Sequence, residues 1–165
     1  MTSKKRVVLI TGAESGIGKS TSKIFLDNGY KVICTYLRNN NNKNTKDIEY
    51  HRIDITKNKD WENLALYIKK KFKKIDVLVN SAGVRLSGNL ETTSMSDWSY
   101  HLNNNVTGTF LACKYILPFL KKAKNSSIIN VASINSIRGV KNMLAYATSK
   151  LSLIHISEPT RLDHI

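Results

Sequence analysis

The sequence predicts an α/β fold built as a doubly wound parallel sheet, and three observations carry that expectation. Short β-branched runs alternate with longer helical segments along the chain. A glycine-rich turn joins the first of these runs to the first helix. A length of 165 residues supports one domain with a real core and is too short for two.

The elements follow in order. Residues 7–11 read as a buried strand, and 17–28 as a helix ending at Gly29, a residue suited to the left-handed position after a helix. Residues 31–36 form a second strand and 48–55 a third. Only about ten Asn- and Lys-rich residues, 37–47, connect those two. A parallel crossover usually takes a dozen or more, so a loop or single turn is expected where a helix would normally stand. A helix over 59–71 precedes a fourth strand, 75–80. A long helix then spans 97–122, with Ser94 or Ser96 as its N-cap. Pro118 should kink or loosen its last turns. A fifth strand covers 127–131, and a last helix starts near Leu144.

Composition narrows the functional classes. Hydrophobic residues at 41% and charged residues at 23% suit a soluble globular chain. No apolar run approaches the ~20 residues that span a bilayer. Lys4-Lys5-Arg6 before Val7 to Ile10 resembles the start of a signal peptide, but the apolar stretch stops at Thr11-Gly12. The expected address is cytoplasmic, without a membrane partner. Cys34 and Cys113 form no C-x-x-C pair and read as buried thiols. His51, His101, His155 and His164 show no ligand spacing, so no metal is expected. The formal charge of +14 is scattered, densest in Lys69 to Lys71 and Lys73-Lys74, and asparagine is abundant alongside it. That pattern fits solvated helix ends better than a nucleic-acid footprint.

The turn Thr11-Gly12-Ala13-Glu14-Ser15-Gly16-Ile17-Gly18 has the spacing G-x-x-x-G-x-G. Glycines there allow a sharp turn and close approach of backbone to a pyrophosphate, which then sits on N–H groups at the helix's positive end. Ala13 to Ser20 also matches a relaxed P-loop, with alanine for its first glycine. A P-loop ATPase or kinase is therefore the alternative from another class. It needs an acidic Mg²⁺ ligand at a neighbouring strand end. Strand four ends in Asn80, strand five in Val131-Ala132-Ser133, and Asp76 lies at the wrong end of its strand.

Tyr146 and Lys150 stand at i and i+4, on one helical face. A free tyrosine titrates near ~10 and a nearby cation lowers that value. Reaching neutrality would take about 3–4 kcal/mol of differential stabilisation, more than one exposed ammonium supplies. Alone, such a pair is ordinary helix decoration. Ser133 changes its meaning, because it ends strand five thirteen positions earlier. Ligands of this architecture bind at strand carboxyl ends, where a serine can donate to a carbonyl oxygen.

With Gly12, Gly16 and Gly18, Asn80-Ser81-Ala82-Gly83, Ser133, Tyr146 and Lys150 in this order, residues 5–150 resemble the classical short-chain dehydrogenase/reductase family. The resemblance implies a Rossmann-like domain over 1–150, lacking the last strands. It implies hydride transfer between a nicotinamide cofactor and a carbonyl/alcohol pair, as in 3-oxoacyl-carrier-protein reductases or general alcohol and sugar reductases. Thr11, the three glycines, Ser15 and Ile17 would form the cofactor loop. Asp54 and Ile55 would meet the adenine. Asn80, heading Asn80-Ser81-Ala82-Gly83, would steady the sheet near the adenosine ribose. Tyr146 would be the acid or base, Lys150 would bind the nicotinamide ribose and tune Tyr146, and Ser133 would polarise the carbonyl. Asn105 would bend the long helix and hold a water in the proton relay. Ser136, off the family spacing, is a substrate-contact candidate. A small-molecule substrate and a homodimer or homotetramer are the implied partners. A non-catalytic dinucleotide-binding scaffold is the remaining alternative, against which the complete Ser/Tyr/Lys set argues.

Residues 31–46 contain no acid before Asp47, while Arg38 could meet a 2′-phosphate. NADP(H) is therefore favoured, with NAD(H) the alternative; Glu14 and the absence of a basic residue at Ser15 weigh the other way. Family members continue well beyond this lysine, with two more strands and a loop over the substrate. Residues 151–165 do not match the family pattern and resemble translated adapter read-through. The 165-residue chain alone is expected to be poorly stable and essentially inactive.

Overall fold

The computed structural model describes residues 5–38 and 43–156. Five parallel strands form one sheet in the order β3-β2-β1-β4-β5: β1 Val7–Thr11, β2 Lys31–Tyr36, β3 Ile48–Arg52, β4 Val77–Asn80 and β5 Ser127–Asn130. The order reverses direction of growth at β1, so the carboxyl ends of β1 and β4 flank the crevice where this architecture binds ligands. Every β1 residue is buried. Its side chains alternate between two clusters, Val7 and Leu9 in one, Val8 and Ile10 in the other, as the two-residue period of a strand requires. The first face is covered by Trp61, Leu64 and Ile68 of α2 (Asn58–Lys71) and by Leu111, Ala112 and Ile116 of α4 (Gly108–Leu120). Phe25 and Leu26 of α1 (Gly16–Asp27) pack on the second. Helices on both faces make the sheet doubly wound, as expected.

Helix ends show why the sequence was readable there. Past α1, Gly29 adopts φ +79°. Its N–H reaches Leu26 O at 2.9 Å, and the N–H of Tyr30 reaches Phe25 O at 3.0 Å. That is a Schellman closure, with Phe25 and Tyr30 rings meeting edge to face at 4.9 Å. The connection between β2 and β3 holds no helix among its described residues. Strand β3 ends at Arg52 because Asp54 Oδ1 accepts from the Thr56 N–H at 2.9 Å and starts a turn. Beyond Leu120 the last turn loosens after Pro118, with Ala123 N–H bonding Leu120 O at 2.9 Å.

One expectation needs correction. The helix read over 97–122, with a bend implied at Asn105, is three pieces: α3 (Met95–His101), a π-helical turn over Leu102–Thr107, and α4. Ser94 caps the first, accepting from the Asp97 N–H at 3.0 Å. The π turn inserts a wider coil and turns Asn105 inward, fully buried.

Candidate active site

The glycine turn closes against the end of β4. Gly12 sits at φ +65°, and a Cβ there would stand 2.7 Å from Ala82 Cα. At Gly18 a Cβ would meet Gly12 O at 2.3 Å. Buried Thr11 fastens the same junction, its Oγ1 accepting from the N–H groups of Ser81 and Ala82, both at 3.1 Å. Asn80 ties β4 to β5 by donating to Asn130 Oδ1 at 2.8 Å. Ser15, the residue before α1, makes no side-chain cap. The helix's first N–H groups are therefore left for an anion.

A groove of about 670 Å³ opens above this turn. Gly12, Glu14, Ser15, Gly16 and Ile17 form one wall; Leu37 and Arg38 at the end of β2, with Ile53 and Ile55, form another. Ala82, Gly83 and the segment Val84 to Leu86 continue it toward Tyr100. Asp54 is not part of its lining, and its Oδ1 accepts from the Thr56 N–H and hydroxyl at 2.9 and 2.7 Å. The lining from the glycine turn and the end of β2 to Gly83 and Tyr100, the close backbone and the uncapped helix fit a dinucleotide. A P-loop reading finds no support in the acid it requires. Asp76 lies at the opposite end of the sheet, accepting from Val7 N–H at 2.8 Å and Lys74 Nζ at 2.7 Å.

Farther along, Gly83 marks where three elements meet. Asn105 Oδ1 and Lys150 Nζ lie 3.0 and 3.2 Å from the position its Cβ would take. Asn105 Oδ1 accepts from the Val84 N–H at 2.8 Å. Its amide donates to Val84 O at 3.0 Å and to Ser149 Oγ at 2.8 Å. One side chain thus joins the π turn, the segment after β4 and α5 (Leu144–Ser152). Lys150 is buried and donates to Val131 O at 2.8 Å. Desolvation lowers its pKa below the ordinary lysine value.

Tyr146 is one turn earlier on α5 and half-buried. The start of α5 is pinned to the segment after β4, through Leu144 N–H to Gly88 O at 3.0 Å and Gly88 N–H to Asn142 O at 2.8 Å. The Tyr146 ring faces His101 edge-on at 6.4 Å. His101 is buried, donating from Nδ1 to Asp97 O at 2.7 Å and accepting at Nε2 from the Leu86 N–H at 2.9 Å. Ser133 follows β5 and caps the short 3₁₀ turn Ile134–Ser136, its Oγ accepting from the Asn135 N–H at 3.2 Å. Helix α5 packs on that turn. Ser136 within it has a buried Oγ with no hydrogen-bond partner. Ser133, Tyr146 and Lys150 do not line the groove themselves; Lys150 reaches its wall at Gly83.

Residues 6–165 match the short chain dehydrogenase family. The chain belongs to that family. An uncharacterized oxidoreductase of Thermotoga maritima is 33% identical over 97% of this chain and 66% of its own length. A 3-oxoacyl-[acyl-carrier-protein] reductase of the same organism is 31% identical over 93% of this chain and 65% of its own. Among solved structures, aldohexose dehydrogenase of Thermoplasma acidophilum superposes with TM-score 0.89 at 31% identity, over 98% of this chain and 62% of that one. ElxO with NADP bound gives 0.85 at 30% identity, covering 97% and 68%. A short chain dehydrogenase of Leptospira borgpetersenii with bound NAD+ gives 0.87 at 25% identity, covering 95% and 65%. The chain therefore spans about two thirds of the length of the relatives it matches.

Two features of this short chain dehydrogenase had no signal in the sequence. His101 stands as a lone histidine in a helical pattern, with nothing to say that it bonds a residue fifteen positions away. The burial of Lys150 was equally hidden, since a Tyr/Lys pair at i and i+4 usually faces water. That burial has a stability consequence. The charged form is penalised in the fold, so the penalty is present at neutral pH and disappears as pH rises from the lowered folded pKa toward 10.5. Lys150→Met is expected to melt higher than the wild type at pH 7. The gap should close near pH 11, and a lower melting point at pH 7 would contradict it. Among the described residues no group of three or more His, Cys, Asp or Glu is placed to hold a metal, and no helix is long and apolar enough to cross a membrane.

Proposed function

We propose that the whole protein is an NAD(P)-dependent oxidoreductase working on a carbonyl/alcohol pair, with NADP(H) favoured through Arg38 and NAD(H) also accepted. The observation that carries this reading is the meeting of Lys150 and Asn105 at Gly83, beside the groove above the glycine turn and one helical turn from Tyr146. The related structures with NADP and NAD+ support the cofactor class, and the 31% identical acyl-carrier-protein reductase supports a carbonyl substrate. The glycine turn and the start of α1 would hold the pyrophosphate, and Lys150 would hold the nicotinamide ribose on leaving Val131 O.

A bound reduced nicotinamide supplies the hydride. The protein's own task is the proton and the placement of the carbonyl. Ser133 would donate to the carbonyl oxygen, and the Tyr146 hydroxyl would deliver the proton to the same oxygen as negative charge develops there. In oxidation the tyrosine would take that proton back. Asn105 would hold the segment 84–86 and α5 in register, so that lysine and tyrosine arrive together.

Tyr146→Phe in the whole protein is expected to lower kcat at least ~10³-fold, the scale of a lost general acid, with NADPH binding retained. Retained turnover would refute the assignment, and an unaffected biological role despite lost turnover would support a binding scaffold. By itself the 165-residue chain is expected to turn over little. Strand β5 is the edge of the described sheet, and Ile129, Ile134 and Ile137 are exposed near it.

A further inference from the structure

Dinucleotide folds usually read the adenosine ribose with an acid at the end of the second strand, and this chain has none there: Thr35 and Tyr36 are followed by Leu37 and Arg38. The structure brings an acid to that place from elsewhere. Ala13 N–H bonds Thr35 O at 2.9 Å, which fixes the glycine turn against the end of β2. From that turn Glu14 extends Oε1 to the Leu37 N–H at 3.4 Å. Its other oxygen, Oε2, is buried without a hydrogen-bond partner. No ion pair to Glu14 or Arg38 is present among the described residues, and both line the groove. A buried carboxylate oxygen without a donor is costly, and a ribose offers two hydroxyl donors.

We propose that Glu14 reads the adenosine ribose hydroxyls, in place of the missing acid at the end of β2, and so gives this protein its affinity for NAD(H) beside the affinity of Arg38 for a 2′-phosphate. This deepens the cofactor assignment above and rests on it. With one hydroxyl-accepting carboxylate and one guanidinium side by side, the two cofactors are held by different residues of the same site. A 2′-phosphate would meet the Glu14 charge as repulsion and Arg38 as attraction; a free 2′-hydroxyl would meet Glu14 as an acceptor. Glutamine at this position keeps an acceptor for Leu37 N–H but removes the charge.

The test is a titration of the whole protein with NADH and NADPH, followed by nicotinamide fluorescence, for wild type, Glu14→Gln and Arg38→Ala. Glu14→Gln is expected to weaken NADH and strengthen NADPH, moving the ratio of dissociation constants by about tenfold. Arg38→Ala should move the ratio in the opposite direction. An unchanged ratio in Glu14→Gln, or equal weakening of both cofactors, would show that Glu14 merely holds the turn and would overturn the inference. Stronger NADPH binding with NADH unaffected would show repulsion without ribose contact, and would overturn it as well. If the folded wild type bound neither dinucleotide, the cofactor assignment itself would fall.

Discussion

Gly18→Ala is expected to weaken dinucleotide binding by at least ~100-fold, equivalent to about 2.7 kcal/mol, and to lower the stability of the fold. The added Cβ would lie 2.3 Å from Gly12 O, 2.9 Å from Gly12 C and 3.1 Å from Ala13 Cα, all backbone atoms that cannot swing away. Either α1 moves back from the turn or the turn opens toward the phosphate site. Overpacking of this kind costs about 1–3 kcal/mol of stability, and the displaced N–H groups lose the anion. Gly16 provides the contrast. Nothing lies within 4 Å of its Cβ position, but its φ is +50°, so Gly16→Ala should cost only about 1–2 kcal/mol of left-handed strain. Gly139→Ala, with open space around it and no positive φ, should change neither property. Nicotinamide fluorescence and thermal melts of the three variants check the ranking; Gly18→Ala binding within about threefold of wild type would contradict it.

Asn105→Ala is expected to destabilise the protein by about 4 kcal/mol, because each polar group left buried and unpaired costs about 1–3 kcal/mol. The variant leaves the Val84 N–H and C=O without Asn105, which joins them at 2.8 and 3.0 Å, and takes from Ser149 Oγ its donor at 2.8 Å, leaving only the bond to Tyr146 O. Asn105 itself is 0% exposed, so water does not replace it without a cavity. Against a typical stability of about 5–15 kcal/mol, that is a large share, and the melting point should fall by roughly 10 °C. Ser149→Ala removes one of the three bonds and leaves Ser149's neighbours in place, so about 1 kcal/mol is expected. Denaturant unfolding distinguishes the two; equal effects would mean that Asn105 is not the junction of the three elements.

Both predictions concern residues that the sequence marked, though not for the same reasons. Gly18 was legible because a strand, a glycine-rich turn and a helix in succession leave few alternatives to a phosphate loop. The strands were legible because buried parallel strands read as short β-branched runs. The end of α1 was legible in Gly29, where a positive φ closes the helix. Asn105 was marked through family resemblance as the place where the long helix bends, and the form of the bend was not visible: a π-helical turn has the same apolar spacing as an α-helix over a few residues, so 97–122 read as one helix. Glu14 was weighed towards NAD(H) as an acid in the glycine loop, without a place in the fold. Its placement against Leu37 depends on contact between segments twenty-three residues apart, which no local pattern records. Lys150 was marked as the partner of Tyr146, and the extent of its burial comes from the fold, since no local pattern records it. Residues 157–165, the larger part of the segment expected not to match the family, lie outside the described residues.

The central claim is spatial: phenol, amine and serine alcohol should meet the reactive half of a dinucleotide beyond the Gly83 end of the groove. A crystal structure of the protein soaked with NADPH tests it most directly. The nicotinamide ribose should lie within hydrogen-bond distance of Lys150 Nζ and the Tyr146 hydroxyl, with Ser133 facing the same carbon from across the substrate space and the adenosine ribose against Glu14 and Arg38. A dinucleotide bound elsewhere, or Lys150 still turned to Val131 O with the ribose out of reach, would contradict the account.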